Sequence, residues 1–126
     1  MQYTFFKITA EGSHIAGVDV SCSEAGHLEI ELSPEIAVVD ASEFGESLER
    51  GVRTAHDFWI RRGGTPHHVR VERVLFYPAD STQDAMECAA TMATWLTLGG
   101  SKDQLRKSFD GDRWGFSLVD GDVPSQ

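Results

Sequence analysis

Three β-like segments come before the first helical stripe, and this order decides more about the fold than any other feature of the chain. Residues 3–9 (YTFFKIT) are aromatic and β-prone, Glu11-Gly12-Ser13 offers a turn, and residues 14–20 (HIAGVDV) read as a second strand. After a second turn at Ser23-Glu24-Ala25-Gly26, residues 27–32 (HLEIEL) alternate. Leu28, Ile30 and Leu32 fall on one side and His27, Glu29 and Glu31 on the other, the period of a half-buried antiparallel strand. A chain that spends three strands before its first helix cannot follow the alternating order of a doubly wound sheet. The expected body is a sheet with two helices on one face.

Both helices are legible from their stripes and stops. In residues 41–62, Phe44, Leu48, Val52, Ala55 and Trp59 recur at helical period, with Asp40 and Glu43 as a capping pair and Ser42 as a rival cap. Gly63-Gly64 ends that helix and Pro66 prevents its continuation. Residues 68–77 (HVRVERVLFY) read as the fourth strand, alternating at Val69 and Val71 and wholly apolar by Val74-Leu75-Phe76. The second helix spans 81–98, with Ser81 as its cap, Asp84 favouring its N-terminal dipole, and Ala85, Cys88, Ala89, Met92 and Leu96 on its buried face. Small residues there imply close packing. Gly99-Gly100 stops the helix, and a short helix over 102–108 and a last strand over 114–119 follow.

The 126 residues fit one domain, read as 1–119 with a frayed tail over 120–126. No apolar run reaches the ~18 residues of a membrane-spanning helix, and the N-terminus does not read as a secretory signal, so the expected location is cytoplasmic. Cys22 and Cys88 are expected to be buried thiols in a reducing compartment. The net charge of −9 argues against an all-over polyanion binder. It is unevenly spread. Residues 50–73 hold six arginines against Asp57 and Glu72, a local +4 that leaves −13 elsewhere. Such arginines belong either to solvated helix and strand faces or to a phosphate-contacting end.

Order and motifs together resemble domain IV of elongation factor G, over Gly26 to Leu98. The residues that carry the resemblance are Gly26-His27-Leu28 opening a strand; Glu43-Phe44 followed by Leu48-Glu49-Arg50-Gly51-Val52 in the helix; Gly64-Thr65-Pro66 before the next strand; and Asp80-Ser81-Thr82 with Ala85-Met86-Glu87-Cys88-Ala89-Ala90 in the second helix. The resemblance implies an α+β fold, a two-layer α/β sandwich with a βββαβα core and a left-handed crossover, as in the domain 2-like class of small-subunit ribosomal proteins. It also implies association with the ribosome or RNA. Two departures work against that task. The connection Phe76-Tyr77-Pro78-Ala79 is shorter than the family's tip loop and lacks its histidine, and Glu35-Ile36-Ala37-Val38-Val39 replaces the other tip loop. No G-x-x-x-x-G-K-[ST] occurs, so the GTPase portion and its nucleotide are not expected.

No catalytic residue, cofactor or metal ligand is assigned. Adjacent His67 and His68 on a strand point to opposite faces and do not readily share a metal; they are expected to be solvent-exposed. His56-Asp57 sits mid-helix, where neighbours do not face each other. His14 and His27 are expected to face solvent. None of Lys7, Lys102 and Lys107 lies where a Ser–Lys dyad would need it. Trp59, Trp95 and Trp114, with Phe58 and Tyr77, are read as core at helical spacing rather than as a base-stacking platform. Gly63-Gly64 and Gly99-Gly100 are read as helix stops.

Three readings stay open. The first is a non-catalytic module that binds RNA or the ribosome, with Arg61, Arg62, Arg70 and Arg73 on phosphates. The second is a protein-interaction or homodimerisation module that has lost RNA binding and pairs its extra N-terminal strands at a sheet edge. The third is a small hydrolase or transferase that uses the histidines.

Overall fold

The computed structural model describes residues 2–9, 12–34, 36, 38–75, 83–109 and 114–118. Strands β1 (Gln2–Thr9), β2 (Gly12–Glu24) and β3 (Glu29–Leu32) precede helix α1 (Val38–Arg61); then come β4 (His67–Leu75) and α2 (Gln83–Leu98). These form a four-stranded sheet in the order β1-β2-β4-β3. Both helices contribute to a core on one face of it, so the fold is the α+β, two-layer sandwich expected from the order of elements.

The pairing of β3 corrects one expectation. It runs parallel to β4, not antiparallel, from Glu29↔His68 to Leu32↔Val71. Alternation along a strand reports which residues face the core but not the direction of a neighbour. The neighbour here is reached through the whole of α1, a crossover that permits parallel pairing. The alternation itself holds: Leu28, Ile30 and Leu32 pack on the core, and Glu29 and Glu31 are exposed.

A bulge keeps β4 in phase. Val20 pairs with Val71 and Asp19 with Arg73, which leaves Glu72 as the extra residue. An extra residue shifts the side-chain period by one. Val69 and Val71 are therefore buried, and Val74, three residues on, still packs against the same core. The seeming loss of alternation near Val74 is this bulge.

Two differences appear at element ends. Helix α1 begins at Val38, so Asp40 lies inside it rather than at its cap. Strand β2 continues to Glu24, so Ser23 and Glu24 belong to it rather than to a turn. The cap assigned to Ser81 and the strand end at Phe76 and Tyr77 lie outside the described residues.

The region after α2 is not a helix over 102–108. A single 3₁₀ turn, Lys102–Gln104, leads into β5 (Leu105–Phe109), which pairs antiparallel with β6 (Trp114–Leu118) in a second sheet. This sheet builds a second core with the far ends of the helices: Ala55, Phe58, Met92, Trp95 and Leu105, with Leu118 and Phe116 against them. Burying Leu105 there is worth roughly 1.5–3 kcal/mol, which outweighs the weak local helix preference of a Lys-Ser segment.

Both helices end on the same device. Trp59-Ile60-Arg61-Arg62-Gly63-Gly64 and Trp95-Leu96-Thr97-Leu98-Gly99-Gly100 share the pattern W-x-x-x-G-G. In each, the first glycine has positive φ, +90° at Gly63 and +118° at Gly99. The Gly64 N–H donates to the Trp59 carbonyl at 2.9 Å, and the Gly100 N–H to the Trp95 carbonyl at 2.9 Å. These are Schellman stops. Gly64 and Gly100 lie flat against the indoles of Trp59 and Trp95, where a Cβ would collide.

Candidate functional site

The helices cover one face of the main sheet. The other carries a polar network built from β2, β3 and β4. Opposite the core-facing Val69 and Val71, the register aligns Ser21, Arg70 and Glu31 across three strands. Glu31 lies 3.0 Å from His68 Nε2 and 3.8 Å from Arg70 Nη1. Glu72, the bulge residue, accepts from Ser21 Oγ at 2.6 Å and lies 3.2 Å from Arg70 Nε, although that N–H does not point at its oxygen. Arg70 is thus flanked by two carboxylates. Each such half-exposed pair is worth at most about 1 kcal/mol, but together they balance the arginine's charge and fix its position.

The four arginines expected to contact phosphate do not converge. Arg61 and Arg62 sit at the C-terminal end of α1, next to the start of β4. The Arg61 guanidinium lies 5.3 Å from the centre of the Phe58 ring, a cation–π contact. Arg70 lies within the network. Arg73 is exposed and pairs in register with Asp19, nearer the far end of β4. At ~3.3 Å per residue, the two ends of β4 are roughly 25 Å apart. Strands β3 and β4 run in the same direction, so the end of β3 at Leu32, beside Val71, and the end of β4 at Leu75, four residues further on, both point away from Arg61 and Arg62. Of the other two arginines in the basic stretch, Arg50 reaches across to α2, with Nε 3.0 Å from Glu87 Oε1, and Arg53 is exposed.

The histidines are more engaged than adjacency suggests. His67 and His68 do take opposite faces, but neither is merely solvated: His68 joins the outer network, and His67 stacks edge-on to Trp59 with ring centres 6.3 Å apart. His67 Nδ1 is 2.7 Å from the Thr65 carbonyl. His27 is exposed, 3.9 Å from Glu29. Contacts of the His14 side chain lie outside the described residues.

His56 is the group that sequence reasoning undervalues. It is 4% exposed, and its Nε2 accepts the backbone N–H of His67 at 3.1 Å. The signal is present, since position 56 continues the stripe Phe44, Leu48, Val52 by one more step of four. Burial pushes the imidazole below its ordinary value of 6.5, and neighbouring His67 adds to this, against the opposing pull of Asp57. A protonated ring could not accept that N–H. The folded chain therefore refuses a proton that the unfolded chain takes up. This contribution to stability is complete above pH 6.5 and is lost as the pH falls from there through the lowered folded value. Urea midpoints should accordingly drop between pH 7.5 and 5.5. In His56→Gln, which keeps an acceptor without a titrating ring, the drop should be smaller; an equal drop would remove His56 as its source.

Neither cysteine is in a disulfide; Cys88 is buried and Cys22 half-buried. Burial pushes the Cys22 thiol up to about 11, so it stays protonated and unreactive at neutral pH. Among the described residues no three His, Cys, Asp or Glu side chains are grouped to hold a metal ion, and no helix is long and apolar enough to cross a membrane.

No family model matches the chain. No curated protein matches it. Among solved structures the chain is similar to the protein ttk003000868 from Thermus thermophilus, with a TM-score of 0.66 and 21% identity. The match covers 76% of this chain and 15% of that protein, so the fold recurs there as a small part of a much larger chain.

Proposed function

We propose that the chain is a non-catalytic binding module of the cytoplasm, and that it works through protein contacts. The observation that carries this reading is the state of the arginines. A phosphate-binding surface needs several cations focused on one groove. Here Arg70 is balanced by Glu31 and Glu72, Arg61 and Arg62 stand at one end of β4, and Arg73 stands toward the other. The chain as a whole carries net −9. What the outer sheet face offers a partner is a fixed array of donors and acceptors with mixed charge, which suits a polar protein surface.

The fold supports a second reading. The two-layer architecture agrees with the resemblance to elongation factor G domain IV, and through it with a ribosome- or RNA-associated role in translation. That role belongs with the end of the sheet where β3 and β4 terminate, and of the four arginines only Arg73 lies toward it.

Co-sedimentation with ribosomes across a salt series separates the two. The protein-contact reading expects the chain to stay in the supernatant even at low salt. Salt-sensitive pelleting that Arg73→Ala weakens, and that Arg61→Ala with Arg62→Ala leaves unchanged, would establish the ribosomal reading instead.

A further inference from the structure

We infer that β1 is a self-association edge, and that its partner is β1 of a second copy of this chain, paired antiparallel about a two-fold axis into one continuous eight-stranded sheet. The inference rests on the protein-contact reading above and names its partner.

The main sheet has two edges, β3 and β1. They are built differently. Strand β3 is four residues long and exposes Glu29 and Glu31. Short length and charge are the usual guards against unwanted strand pairing. Strand β1 has eight residues and pairs with β2 through an unbroken register from Gln2↔Asp19 to Thr9↔Gly12, with no bulge. Its sequence, QYTFFKIT, has no proline and no acid, and Lys7 is its one charge. Among the described residues nothing pairs with its outer side. The strand is anchored rather than loose, since α2 packs against it as well as against β2.

Charge selects this edge for a second copy. Two molecules of net −9 repel each other over most of their surfaces. Of the sheet's two edges, β1 is the one without acids, so it is the edge at which that repulsion is weaker. A two-fold axis normal to the sheet sets residues of the same face opposite each other, so the central pair is either Phe5 with Phe5, flanked by Thr4 with Phe6 and Tyr3 with Lys7, or Phe6 with Phe6, flanked by Phe5 with Lys7 and Thr4 with Ile8. In both registers Lys7 never meets its own copy and an aromatic pair stands on the axis, where cross-strand aromatic pairing adds to main-chain hydrogen bonding. One added strand pair buries less than a standard interface, so the dimer should be weak, with a dissociation constant of about 1 μM to 100 μM.

Sedimentation velocity on the 126-residue chain over a concentration series tests this. The expected result is a reversible shift from monomer to dimer mass. Lys7→Glu places an acid in the strand without touching the backbone, and should raise the dissociation constant at least tenfold at low salt, with a smaller effect at high salt. Phe5→Pro and Phe6→Pro each delete one N–H of the strand; whichever N–H faces outward should abolish the dimer while leaving the monomer's circular dichroism intact. A chain that stays monomeric to millimolar concentration overturns the inference, as does a dimer that Lys7→Glu leaves unchanged at low salt. Either result spares the broader reading if a different protein binds; salt-sensitive ribosome pelleting would overturn that reading while leaving the dimer measurement intact.

Discussion

Trp95→Ala is expected to lower unfolding free energy by about 4 kcal/mol, read from urea transitions followed by far-ultraviolet circular dichroism. The indole is 1% exposed and sits where both helix ends and the second sheet meet. It makes edge-on contacts with Phe58 at 6.5 Å and Trp59 at 6.1 Å between ring centres. Its Nε1–H donates to the Ser101 carbonyl at 2.9 Å, which ties the end of α2 to the turn that starts β5. Truncation opens a cavity, releases that turn and exposes Leu105. The loss is a large part of the roughly 5–15 kcal/mol that usually holds a domain together.

Trp95→Phe should cost about half as much, since it keeps a ring and loses the donor. Trp59→Ala should also cost less than Trp95→Ala. Trp59 is only half-buried, and its Nε1–H is buried without an acceptor. The same W-x-x-x-G-G pattern thus has two energetic outcomes. After Gly100 the chain folds its Ser101 carbonyl back over the indole; after Gly64 it departs directly into β4. Equal losses at the two tryptophans would contradict this account.

The inner layer is legible in the sequence and the outer one obscure, for a physical reason. Burial has a period, so Phe44, Leu48, Val52, Leu28, Ile30 and Leu32 announce their faces. The glycine pairs announce both helix ends because positive φ narrows the choice of residue. Partner choice across strands has no local period. Nothing near Glu31 reveals that His68 and Arg70 lie beside it, because their alignment depends on a parallel register set by α1. Nothing near Glu72 reveals a bulge until Val71 and Val74 are both seen on the core side. The arginine cluster is dispersed for a related reason: nearness in sequence is not nearness in space, and a helix end and an extended strand carry these residues apart. The segment 102–108 fails differently. Its local composition suggests a helix, and hairpin pairing with β6, together with the burial of Leu105 in the second core, prevails.

Gly51→Ala sets two effects of opposite sign against each other, and packing should win. In an exposed helix interior, replacing glycine by alanine stabilises by about 1 kcal/mol. Gly51 is buried where α1 crosses α2. A Cβ there would meet the Glu87 carbonyl oxygen, the Ala90 Cβ at 2.7 Å and the Thr91 amide nitrogen at 3.0 Å. Two of these are backbone atoms of a helix and cannot rotate aside. The helices would have to separate, loosening the packing of Leu48, Val52, Ala89 and Ala90 and lengthening the 3.0 Å pair between Arg50 and Glu87. Overpacking of this kind costs roughly 1–3 kcal/mol, so the net expectation for Gly51→Ala is a loss of about 2 kcal/mol, and Gly51→Val should lose more. Gly45, nearly two turns earlier, provides the control. Its Cβ would find only Leu32 Cδ1 at 4.0 Å, ordinary contact, so Gly45→Ala should gain about 0.5–1 kcal/mol. Opposite signs at two glycines of one helix, measured in the same urea series, would show that Gly51 is present for the approach of α2 and not as a flexible point. A gain at both positions would mean that the helices pack less closely than the core requires.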